Sequence, residues 1–163
     1  MKRATPLLLS VFLLFGCGVY SFKGQGISGI KSIAVESFDN NTTEFGIREA
    51  VTDAIVSKLL SDRTLAVTSP RGADAILSGV INSISDRALT FSSDESVSEY
   101  EVTISISFKL AKPGGSEPIW EGEITGVGAY PYKTGSPEER KEGITKALDK
   151  IVQDLINRLT SDW

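Results

Sequence analysis

The chain has 163 residues, 40% of them apolar and 23% charged, and its 21 acidic against 17 basic side chains give a net charge of −4. That length suits one compact domain, and the acidic balance argues against nucleic acid, whose binding rests on phosphate neutralisation by clustered Lys and Arg. Histidine is absent, which removes Ser-His-Asp and Cys-His nucleophile systems, His acid–base chemistry and the commonest metal ligand; enzymes using only carboxylates, Tyr or Lys stay open, and no motif points to one.

Lys2 and Arg3 open the chain, and an apolar run from Leu7 to Phe15, interrupted only by Ser10, leads to Gly16 and Cys17, the single cysteine. The run is shorter than the roughly 20 apolar residues that span a bilayer, and a basic start followed by a short apolar core and a small residue reads as an export signal. Leu14-Phe15-Gly16-Cys17 resembles the bacterial lipobox, in which the cysteine becomes the first mature residue and is lipidated. The alternative, an ordinary signal peptide, leaves a thiol without a disulfide partner in an oxidising compartment. On the lipobox reading, residues 1–16 are a signal peptide, 17–30 a lipidated tether and 31–163 one domain. A diacylglyceryl thioether and an N-acyl group on Cys17 exceed the two signals that stable anchoring requires, at about 0.8 kcal/mol per buried CH₂. Gly18 stands where Asp marks inner-membrane retention in enteric bacteria, so the expected location is the periplasmic face of the outer membrane. Removing residues 1–16 takes away Lys2 and Arg3 and leaves 147 residues with a net charge of −6.

Gly18, Gly24, Gly26 and Gly29 favour a flexible tether; Tyr20 and Phe22 within it read either as a short packed segment or as an interfacial aromatic pair. Ile30 to Phe38 reads as a mostly buried strand, closed by the turn- and cap-forming cluster Asp39 to Thr43. A helix is predicted from Glu44 to Ser61 on the stripe Ile47, Val51, Ile55 and Leu59, then a brief strand from Leu65 to Thr68, a crossover that makes two parallel strands. Residues 74–85 read as a central strand. From Tyr100 to Leu110 apolar and polar residues alternate strictly, as in a half-buried antiparallel strand. Lys112 to Ser116 turns the chain, and residues 118–130 return as its hairpin partner. Gly122, Gly126 and Gly128 share the covered face with Trp120 and Ile124, which lets a helix backbone approach closely. Ser136-Pro137-Glu138-Glu139 supplies an N-cap, a first-turn proline and a capping-box glutamate for a last helix striped by Ile144, Leu148, Ile151, Val152, Leu155 and Leu159. The expected fold class is α+β, a two-layer sandwich with a mixed four- to five-stranded sheet and two helices packed on one face.

Sites of chemistry are weak. Asp94, Glu95, Glu99 and Glu101 could form a hydrolytic carboxylate pair but read better as a solvated loop entering a polar strand face. Gly24, Gly26 and Gly29 follow no strand and open no helix, which excludes a phosphate loop. Asp39, Asn40, Asn41 and Glu44 lack EF-hand spacing, and helix capping is the better account. No metal site or cofactor is expected beyond the lipid on Cys17. Arg87, in the loop after the third strand, Lys109 and Lys112 near the hairpin tip, and Lys133 before the last helix are solubilising charges or a small basic patch for lipid phosphates.

Cys17-Gly18-Val19-Tyr20-Ser21-Phe22, Ile30-Lys31-Ser32-Ile33-Ala34-Val35 followed by Phe38-Asp39-Asn40-Asn41-Thr42, the stretch Ala73 to Ile81, and Trp163 together resemble the LptE family of lipopolysaccharide-assembly lipoproteins. The resemblance spans the chain from the signal peptide to the last helix. It implies a non-catalytic outer-membrane lipoprotein that binds and plugs the LptD β-barrel, assists its assembly and engages lipopolysaccharide. A radius of gyration of roughly 14 Å for a domain of this length and the polar lumen of large barrels are compatible with a polar sheet face of Ser, Thr and Glu. Arg87, Lys109 and Lys112 are the candidate lipopolysaccharide contacts. The alternative is an envelope lipoprotein that activates a cell-wall synthase or joins a secretion complex, and a third reading is an enzyme acting on envelope glycans.

Overall fold

A computed structural model describes residues 29–94 and 96–160, so the expected signal peptide, most of the tether and Cys17 lie outside the described residues. The chain runs β1 (Ser32–Val35), β2 (Asp39–Asn40), α1 (Ile47–Asp62), β3 (Ala66–Val67), β4 (Ala75–Phe91), β5 (Val97–Ala111), β6 (Pro118–Pro131) and α2 (Pro137–Thr160). The sheet is ordered β3-β1-β4-β5-β6, with β2 also paired to β4 above β1. β1 is parallel to both β3 and β4, and β4, β5 and β6 are antiparallel neighbours. The expected α+β sandwich is the observed fold, with the short β2 as a sixth strand.

The strict alternation of β5 decides the layers. Val102, Ile104, Ile106, Phe108 and Leu110 are buried together with the α1 stripe Ile47, Val51, Ile55 and Leu59 and with Leu148, Ile151, Val152, Leu155 and Leu159 of α2. Both helices therefore cover one face, and Thr103, Ser107 and Lys109 lie on the other. Ser136 Oγ accepts from the Glu139 N–H at 3.3 Å, as a cap should. The Glu139 carboxylate reaches past the capping box to the N–H groups of Lys133, Thr134 and Gly135. Burial works to raise its pKa, and these bonds outweigh that and hold it below the ordinary carboxyl value.

Three expectations need correction. The strand expected over Ile30 to Phe38 stops at Val35, and pairing resumes only at Asp39. The break lets the buried Phe38 ring pack edge-on to Phe108 at 5.6 Å, in space that a side chain at Gly79 would fill. Residues Asp39 to Thr43 do not cap α1. Asn40 Oδ1 accepts from the Thr42 N–H and hydroxyl, Asn40 Nδ2 donates to the Glu44 carbonyl, and the N-cap is Gly46 at φ 76° with no side-chain cap. β4 continues six residues beyond Ser85, to Phe91. Both faces of that extension are solvated, so no hydrophobic alternation marks it, and the ladder to β5 holds it.

Candidate functional site

The polar face of the sheet is built by the outward rows of β4, β5 and β6, and its middle is a hydrogen-bonded network. Asn82, the extra residue of a bulge in β4, donates to Ser107 Oγ at 2.8 Å and to Glu123 Oε2 at 3.2 Å, while Ser105 Oγ donates to Glu123 Oε1 at 2.8 Å. Ser105 is 8% exposed, so this face is knitted together across three strands. Beside the network lies an open groove of about 730 Å³, where Lys109 sits among Glu36, Asp39, Glu121 and Glu123. Its net charge is negative.

The candidate cations do not converge. Arg87 belongs to β4 rather than to a loop, and its guanidinium is paired with Glu101 across the ladder at 2.8 Å. Lys109 pairs in register with Ser78, nine residues before Arg87 on β4; at about 3.3 Å per residue the two stand about 30 Å apart. Lys112 lies in the turn after β5, lining a shallow hollow with Glu117, and Lys133 contributes its backbone N–H to Glu139. These four cations form no single patch. The acidic cluster is likewise divided. Asp94 accepts from the hydroxyls of Ser92 and Ser96 in the β4–β5 turn, which pulls its pKa down to about 2. Glu99 accepts from Thr90 and Glu101 from Arg87; Glu95 lies outside the described residues.

A second constellation escaped the sequence reading. Asp86 of β4 accepts from the Tyr130 hydroxyl at 2.8 Å and pairs with Arg140 of α2 at 3.0 Å, and Arg140 also pairs with Glu44 before α1 at 2.8 Å. Burial alone would lower the Arg140 pKa, and the bonds it donates to Asp86 and Glu44 overcome that and raise it. Burial, then the Asp86 bond, pushes Tyr130 up to about 12. These partners are 44 to 96 residues apart in sequence, so no local motif could have revealed them. Above the network, Tyr100 stacks on Tyr130 at 5.9 Å and meets Tyr132 edge-on at 5.0 Å. Among the described residues there is no group of acids or cysteine able to hold a metal, and no helix long and apolar enough to cross a membrane.

Residues 30–159 match the family model LptE, described as lipopolysaccharide-assembly. The chain belongs to the LptE family. That family is non-catalytic and cofactor-free, and its members are envelope lipoproteins of lipopolysaccharide assembly. No curated protein sequence matches the chain. Among solved structures, a PelC dodecamer from Paraburkholderia phytofirmans is similar at TM-score 0.52 and 16% identity, over 84% of this chain and 91% of that one. Protein CT253 from Chlamydia trachomatis is similar at 0.56 and 10% identity, over 78% and 94%. Protein XCC0632 from Xanthomonas campestris is similar at 0.54 and 14%, over 77% and 81%. At these identities the likeness concerns the fold: the LptE-type sandwich of two helices on one face of an open mixed sheet.

Proposed function

We propose that this LptE-family chain is held at the periplasmic face of the outer membrane by lipid on Cys17, and that it binds and plugs an LptD-type β-barrel. In that position it assists assembly of the translocon and the insertion of lipopolysaccharide into the outer leaflet. The observation that carries this reading is the family match over residues 30–159. The cross-linked polar face supports it physically: a wall of Ser, Thr, Asn and Glu suits a barrel lumen, which is polar. Arg87, Lys109 and Lys112 are proposed as separate lipopolysaccharide contacts rather than one patch, since about 30 Å of strand divides the first from the second.

The test is affinity purification of a tagged full-length chain from mildly solubilised envelopes. A large barrel protein recovered in stoichiometric amount is the expected result. Recovery of a cell-wall synthase with no barrel would replace this reading with the alternative.

A further inference from the structure

Among the described residues the sheet's two outer margins, β3 and β6, are blunted, and the two-residue β2 is too short to offer an edge. β3 is two residues long and is soon followed by Pro70. β6 begins at Pro118 and ends at Pro131, and Lys146 Nζ donates to its Ala129 carbonyl at 3.1 Å. Short edges, prolines and lysines are the usual protections of a sheet margin against further pairing.

The upper half of β4 has neither proline nor lysine, and between the bulge at Asn82 and the register shift after Ala88 its ladder is regular. β1 and β2 accompany β4 only as far as Ile81, whereas β5 continues beside it to Phe91. From Ser83 to Phe91 the other side of β4 carries no strand among the described residues. Its two charges are engaged within the domain, Asp86 with Tyr130 and Arg140, and Arg87 with Glu101.

The ladder shows which backbone groups are left. The Leu77 and Ile81 carbonyls accept from the N–H groups of Glu36 and Asn41, so odd-numbered residues face the β1–β2 side below the bulge. Ile81 opposes Ile106 but Ser83 opposes Ser105, which shifts the alternation by one. Above Asn82, Ser83, Ser85 and Arg87 therefore bond to β5, and Ile84, Asp86 and Ala88 direct N–H and C=O to the open side.

We infer that this edge receives an extended segment of the barrel partner as an added strand, an inference that rests on the function proposed above. The edge prescribes the segment's chemistry. On the polar face it runs past Ser83, Ser85 and the exposed guanidinium of Arg87, and an acidic or hydroxyl row fits there. On the helix face Arg140, bonded to Asp86, also lines a groove of about 500 Å³ with Ile47, Ala50 and Ile144. Phe45, fully exposed, stands in the same groove beside Glu44, Asp53 and Lys141, so the other row mixes apolar with polar side chains. A second copy of this chain is the poorer occupant: twofold pairing about the middle of the strand sets Asp86 against Asp86 or Arg87 against Arg87, and like charges directly opposite repel.

Residue-resolved hydrogen exchange on the full chain, alone and in complex with its co-purified barrel, tests this. The amides of Ile84, Asp86 and Ala88 should exchange rapidly in the free chain and slow by roughly tenfold or more in the complex, while Ser85 and Arg87 change little. Ala88→Pro removes an outward N–H without removing a bond to β5, so it should leave melting near wild type and cut barrel recovery by roughly tenfold. A complex in which the three amides stay exposed overturns the inference and leaves the functional proposal standing. Protection already present in the free chain overturns it too, because the edge would then be covered by the chain's own N-terminal segment. A folded Ala88→Pro that recovers barrel normally does the same, and if that variant misfolds, the wild-type exchange decides. A wild-type chain that recovers no barrel sinks the functional proposal and this one together.

Discussion

Asp86 is where four parts of the chain meet: a β4 carboxylate, a β6 phenol, an α2 guanidinium and, through Arg140, the loop before α1. The phenol is the member whose role can be read by pH. Tyr130 ionises near 12 in the folded chain, against an ordinary 10.0, so folding holds its proton more tightly than the unfolded chain does. The associated stability is complete below pH 10 and drains away as pH rises from 10 through 12. Tyr130→Phe lacks the hydrogen bond and should cost about 1–2 kcal/mol at neutral pH, a hydrogen bond to a charged group being worth somewhat more than a neutral one. Its stability should then fall less steeply than wild type above pH 10. Thermal melts at pH 7 and pH 11 check both; parallel decline of the two proteins would remove Tyr130 as the alkaline-sensitive group. The sequence offered no view of this cluster because every contact in it is long-range. The expected strand ended at residue 85 with Arg87 in a loop beyond it, because both faces of that stretch are exposed.

The helix–sheet contact was legible, and for a reason that a substitution can test. Gly126 and Gly128 fall on the buried face of β6, and a side-chain carbon at either position would collide with α2 backbone at Ala147 or Gly143. Neither partner is a flexible side chain, so the two elements would have to separate. Gly128→Ala should destabilise the domain by about 1–3 kcal/mol or more, the usual cost of overpacking a well-filled contact. Gly122→Ala is the internal control: the nearest atom there belongs to the Trp120 ring, whose residue is only partly buried and can shift. Equal melting losses for the two would refute backbone approach as the function of the β6 glycines. The same logic separates what periodicity reveals from what it hides. β5 and α2 were readable because one face of each is buried throughout, which imposes a period on the sequence. α1 was readable in its stripe but not in its start, since the Asp39 to Thr43 cluster satisfies itself and leaves a glycine to begin the helix. The far half of β4 depends on its partner strand, and pairing leaves no imprint on composition.

At the scale of the molecule, the fold and the proposed lipid anchor should be separable. The described core draws on residues from Ile30 to Leu159, and Asp74 fastens the start of β1 by accepting from the Lys31 and Ser32 N–H groups and the Ser32 hydroxyl, each at 2.9 Å. These bonds hold its carboxyl below the ordinary range, so the domain is closed off where the chain enters it. Cys17 lies 13 residues before Ile30, where the described core begins. Cys17→Ala should therefore melt like the wild-type protein while losing membrane attachment, since stable anchoring needs the acyl chains and the described residues offer no spanning helix. Fractionation should move most of the variant to the periplasmic soluble fraction. A remnant in the outer membrane should rise and fall with the amount of barrel, because contact with the partner is then its only hold. If the variant stays wholly membrane-bound in cells depleted of barrel, the anchor is not the lipid on Cys17 but some other part of the chain.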